Sequence, residues 1–223
     1  MARVWAFTKY QLRDYRTAVL VYYLILAALI ALVVGNSGRI EGQDSLSGGS
    51  IIFIFVLGLN CFKTSFRFAQ ANNISRRAFY LATLLSLVGL AIIMGVVDLI
   101  LDVLMDSFPI YVSLFEQIYG MSGIAKGLWT TASLVFAASL GWMITMIYYR
   151  SNTVWKVIVS LSPVAAISVL SLLDRLSGGK AVSSTLSFLT WAFGFAGETP
   201  NPFQAVLTFL AGSAIIWAIN ILL

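Results

Sequence analysis

Three of the chain's nine acidic residues, Asp98, Asp102 and Asp106, recur at every fourth position in an otherwise apolar stretch. On a helix that spacing stacks the carboxylates along one face. Carboxylates are costly in hydrocarbon, so the stripe is expected to face a vestibule, a partner helix, or water beyond the helix end. Lining an exit, it would attract cationic cargo. Other reactive chemistry is scarce. The chain has no histidine, which removes the commonest metal ligand and general base. Cys61 is the single cysteine, so no intrachain disulfide can form and the thiol reads as packing. No G-x-x-x-x-G-K-[ST] phosphate cradle occurs; Ser177-Gly178-Gly179-Lys180 lacks the first glycine and reads as a turn. No carboxylate pair sits deep in an apolar run, so neither enzymatic hydrolysis nor a metal site is expected.

Cations form the second pattern. Residues 63–77 read KTSFRFAQANNISRR, four basic residues with no acid. Asn72-Asn73 marks a turn, and Ser75 suits the cap of a following helix. Arg76 and Arg77 would then stand in that helix's first turn, where they oppose its dipole. The helix gains nothing from them, so their use lies elsewhere: holding the loop on the cytoplasmic side, or docking on another protein. Near the N-terminus, Val4, Phe7 and Tyr15 fall on one side of a helix and Lys9, Arg13 and Arg16 on the other. Residues 1–16 are therefore expected to form an amphipathic helix at headgroup level, as an anchor, a partner contact, or both.

The elements that must position these residues follow from composition. Hydrophobic residues make up 60% of the chain and charged residues 10%, with a mean hydropathy of +0.92. A soluble domain is about half apolar and a quarter charged. This chain would expose large apolar patches in water. The expected fold is an all-α polytopic membrane protein, a single transmembrane domain over 1–223. Six apolar runs, 17–34, 48–66, 78–101, 128–149, 154–173 and 203–223, have the length of membrane crossings. The second is interrupted by Asn60 and Lys63, and the fifth contains Pro163. The first run exceeds a signal-peptide core and no A-x-A site follows, so it is expected to remain. No basic residue follows the sixth run, which leaves a trimmed or a short terminus open.

Basic residues set the orientation. Arg3, Lys9, Arg13, Arg16, Lys63, Arg67, Arg76, Arg77, Arg150 and Lys156 fall on the N-terminal side of the membrane. Arg39, Lys126, Arg175 and Lys180 fall on the other. The side richer in Lys and Arg is cytoplasmic, so both termini are expected inside. This distribution explains the excess of 14 basic over 9 acidic residues by topology, and no nucleic-acid partner is expected. On the outer side, Glu116 with Phe108, Tyr111, Phe115 and Tyr119 suggests an interfacial or re-entrant element. Trp191, Phe193 and Phe195 before Glu198 and Pro200 suggest a similar one. The small pairs Ala91/Gly95, Ala137/Gly141 and Ala214/Ala218 suit close helix contacts, within the chain or in a dimer.

A basic amphipathic start, six crossings, and the sequence NNISRRAF at 72–79 between the second and third crossings together resemble the permease subunits of type-2 ABC transporters. The resemblance covers the whole chain in layout. It implies that 68–77 couple to an ATPase, through Phe68, Gln70, Asn72, Asn73, Ile74, Ser75, Arg76 and Arg77. It implies that residues 4–16, with Val4, Phe7, Lys9, Arg13 and Arg16, form a connecting helix beside them. ATP and magnesium would be held by a separate ATP-binding subunit. A second copy or a similar permease would complete a dimer in the lipid of a bacterial cytoplasmic membrane. The implied function is export, with amphipathic or cationic peptides as cargo leaving past Asp98, Asp102 and Asp106. The residues themselves leave open a non-transporting membrane protein, such as an immunity factor, sensor or scaffold.

Overall fold

The structure, a computed structural model, describes residues 2–35, 48–105, 113–120, 123–197 and 199–222. Among these the chain is helical, with no strand. The helices are α1 (Ala2–Gly35), α2 (Gly48–Asn60), α3 (Lys63–Ala71), α4 (Arg76–Met105), α5 (Leu114–Tyr119), α6 (Ile124–Arg150), α7 (Thr153–Ser177), α8 (Lys180–Ala192) and α9 (Pro202–Leu222). Among the described residues, six stretches are long and apolar enough to cross a membrane: α1, α2 together with α3, α4, α6, α7 and α9. That is the architecture of a multi-pass membrane protein.

Two boundaries differ from expectation. No separate interfacial helix precedes the first crossing: α1 runs unbroken for 34 residues. No glycine or proline occurs before Gly35, and Phe7, Gln11 and Tyr15 are buried on one face, so nothing breaks the helix near Thr17. The second crossing, expected as one run over 48–66, is divided at Cys61 and Phe62. At 13 residues, α2 spans about 20 Å, short of the roughly 30 Å hydrocarbon core; α3 supplies the remaining length.

Paired contacts give the helix directions. Thr8 meets Ala82, and Tyr23 meets Asp98, so α1 and α4 run parallel. Tyr80 packs on Trp142, and Asp102 meets Lys126, so α4 and α6 run antiparallel. Trp129 meets Phe209, and Ser139 meets Trp217, so α9 follows α6. At the centre stands α6, with Leu134, Ala138 and Trp142 buried.

Glycine sets how closely α2 and α6 approach. A Cβ on Gly58 would lie 2.4 Å from the Ala138 carbonyl oxygen, and one on Gly141 would lie 2.3 Å from that of Phe55. Only hydrogen fits at either position. Gly95 is likewise pressed against Thr131. The small residues of Ala91/Gly95 and Ala137/Gly141 thus serve contacts inside the chain, whereas Ala214 and Ala218 are exposed.

Helix α7 stands apart, with no buried residue. Pro163 cannot donate to the Val159 carbonyl, and the Ser162 hydroxyl does so instead at 2.7 Å. Such side-chain replacement lets proline sit within a membrane helix. Gly178 and Gly179, at φ +63° and +90°, turn the chain from α7 into α8, and Asp174 Oδ1 accepts the Val182 N–H at 2.9 Å. The Ser-Gly-Gly-Lys segment is this turn.

Candidate functional site

The residues singled out by type and spacing gather at opposite ends of the bundle. One end holds the start of α1, all of α3, the start of α4 and the end of α6. Its corner is built locally. Helix α3 closes with the Asn73 N–H donating to the Gln70 carbonyl and the Ile74 N–H to that of Ala69. Asn73 takes the left-handed conformation at φ 53°. This is a Schellman closure, and asparagine tolerates its left-handed position. Ile74 then tucks against the core. Ser75 Oγ accepts the Ala78 N–H at 3.2 Å, capping α4 as the sequence suggests.

Beneath the corner lies a layer of rings. Phe68 stacks on Tyr10 at 4.4 Å and lies near Phe7. Phe62 and Phe66 meet Phe79 of α4 and Tyr149 of α6 edge-on. The corner is therefore braced on α1, α4 and α6 together. Arg67, Gln70, Asn72, Asn73, Ser75, Arg76 and Arg77 are exposed. On α1, Phe7 is buried and Val4 half-buried, while Lys9, Arg13 and Arg16 point outward. Lys9 Nζ lies 5.4 Å from the Trp5 ring centroid, a cation–π distance.

Sequence reasoning missed the polar lock below these rings. Gln11 is fully buried. Its amide donates to Thr83 Oγ1 at 3.1 Å and accepts from Ser86 Oγ at 2.9 Å. Thr8 Oγ1 donates to the Ala82 carbonyl at 3.4 Å. The available signal was two polar residues placed on the face that Val4, Phe7 and Tyr15 define.

The other end inverts this pattern. Asp98 and Asp102 are 4% and 3% exposed and turn inward. Tyr23 of α1 donates to Asp98 Oδ1 at 2.9 Å, and Tyr22 bonds Ser50 at 2.8 Å beside it. Lys126 Nζ lies 2.9 Å from Glu116 and 3.4 Å from Asp102. In the sequence Lys126 reads only as an outer loop cation; in the structure it is 3% exposed. Neither Asp98 nor Asp102 presents its carboxylate to an open surface. Asp106 lies outside the described residues, as do Phe108, Tyr111 and Glu198.

Around this cluster the outer aromatics assemble. Ser113 Oγ caps α5 by accepting the Glu116 N–H at 3.3 Å. Phe115 and Tyr119 pack on Trp129 and Ala205, and Tyr119 stacks on Phe195 at 5.2 Å. Burial pushes the Tyr119 phenol above its ordinary pKa, and its hydroxyl donates to the Phe193 carbonyl at 2.8 Å. Among the described residues, no group of three or more His, Cys, Asp or Glu could hold a metal. Comparison of the chain with models of known families, with curated proteins and with solved structures gives no match.

Proposed function

We propose that the chain is the membrane permease subunit of an ATP-driven exporter and takes its power from a separate ATPase subunit. One observation carries the reading: a corner over 67–77 that exposes its arginines and amides is braced on three helices at once, by a stacked ring pair to α1 and edge-on rings to α4 and α6. A load applied to such a corner moves α1, α4 and α6 as a unit. Packed helices respond to a local push by rigid-body shifts. Arg67, Arg76 and Arg77 suit an acidic partner surface. The outward row Lys9, Arg13 and Arg16 stands beside the corner, as a connecting segment would. In this reading the cationic end is cytoplasmic and both termini lie inside a bacterial cytoplasmic membrane. A second copy or a similar chain completes the path, and ATP and magnesium belong to the partner.

Extraction in mild detergent tests it. A Walker-motif ATPase should co-purify with the wild-type chain and be lost from the Arg76→Glu, Arg77→Glu variant at equal permease yield. Absence of any ATPase, or its retention by the variant, rejects the reading. The cargo proposal, cationic or amphipathic peptides, requires the α1–α4 contact at Asp98 and the α4–α6 contact at Asp102 to open and expose both carboxylates. Unchanged peptide export after replacing Asp98, Asp102 and Asp106 by Asn removes it.

A further inference from the structure

Between α2, α6 and α9 lies a cavity of about 500 Å³. Ile51, Ile52 and Phe55 of α2, Trp129 and Phe136 of α6, and Phe209 of α9 form its walls. All of these helices belong to stretches long and apolar enough to cross a membrane. The cavity lies toward the end that carries Lys126, away from the arginine corner.

We propose that this cavity holds one acyl chain of a bilayer phospholipid. Its chemistry excludes the other ready occupant. Two lining residues carry a polar group: the Ser133 hydroxyl already donates to the Thr130 carbonyl at 2.8 Å, and the Trp129 indole nitrogen is itself buried and does not open onto the space. A buried water needs two to four polar partners, and apolar cavities without them stay dry. The volume lies in the range of small-ligand sites. A helix is about 10 Å across with its side chains and rises 5.4 Å per turn, so the space takes roughly one turn of a second protein helix. A single hydrocarbon chain, by contrast, enters lengthwise.

The walls provide a way in and a closed end. Ile52 lines the cavity and is 68% exposed, so an apolar side faces outward at the level of the crossings. Trp129, Ile51 and Phe209 are shared with the cluster formed by Phe115 and Tyr119 of α5. That short helix is tied down by Glu116 to Lys126 and by Tyr119 to Phe193. It closes the cavity toward the end of the bundle and leaves the lateral side open. The site is independent of whether an ATPase binds the opposite end.

Photo-crosslinking tests the proposal. The full chain is reconstituted in phosphatidylethanolamine–phosphatidylglycerol vesicles doped with a phospholipid bearing a diazirine on one acyl chain. Label is mapped on peptides containing Phe136 and Leu140, both of which line the cavity, and on α7, whose residues are unburied and serve as the bulk-lipid reference. Label on the cavity peptides should exceed that on α7 in the wild type. It should fall to the α7 level in Leu140→Trp and in the gentler rim variant Ile52→Trp, with α7 labelling unchanged. Cavity labelling no higher than α7 in the wild type, or unchanged in a folded Ile52→Trp chain, overturns the proposal. An Ile52→Cys chain that forms interchain disulfides in these vesicles also overturns it, since a second copy would then occupy the face.

Discussion

The two ends of this bundle handle charge in opposite ways. At one end, arginines stand outside and rings do the holding: Phe68 on Tyr10, Phe62 and Phe66 on Phe79 and Tyr149. At the other, charges are inside and hold the helices themselves: Lys126 with Glu116 and Asp102, and Asp98 with Tyr23. The difference teaches which charges are available to a partner. Exposed cations add little to stability and can be spent on recognition. Buried ones are committed to packing, because removing one partner strands the other in a low-dielectric interior.

Substitutions at the two ends should therefore behave differently. The largest effect is expected for Lys126→Met, which leaves two carboxylates facing each other without their ammonium. Breaking a buried pair costs about 3–5 kcal/mol, read as a fall in thermal unfolding temperature in detergent. Adding Asp102→Asn and Glu116→Gln to that variant should restore part of the loss. A Lys126→Met chain as stable as the wild type would erase the distinction between the ends. Next comes Tyr23→Phe, which removes the donor to buried Asp98; an unsatisfied buried acceptor costs about 1–3 kcal/mol. Smaller again is Phe68→Ala, which removes a ring stack worth about 0.5–1.5 kcal/mol beyond its buried area. Arg76→Glu with Arg77→Glu should leave the unfolding temperature unchanged while abolishing capture of the proposed ATPase partner. A large stability loss there would mean that the corner is structural.

The crossings were legible because lipid demands long apolar runs: four of the six expected runs lie within single helices, and the run 203–223 follows α9 as far as Leu222. Asn72-Asn73 and Ser75 were legible because turn and cap chemistry is local. The stripe of Asp98 and Asp102 was visible as a spacing, but its partners were not. Tyr23 is 75 residues from Asp98, and nothing local distinguishes Lys126 from an ordinary loop cation. Gly58 gave no signal alone either, since its meaning depends on the Ala138 carbonyl across the α2–α6 contact. The break at Cys61 and Phe62 falls between Asn60 and Lys63, the two polar residues that interrupt the run in the sequence; that they end one helix and start another was not legible, because no glycine or proline marks the place.

The central claim is that the arginine corner faces the cytosol, where a motor subunit can reach it. Cysteine accessibility in a Cys61→Ala background tests this directly, with Gln70→Cys on α3 and Ser184→Cys on α8 as reporters, both positions being exposed. A membrane-impermeant maleimide should label Gln70→Cys in inverted vesicles and not in intact cells, and Ser184→Cys the other way round. Labelling of Gln70→Cys from outside intact cells would contradict the account.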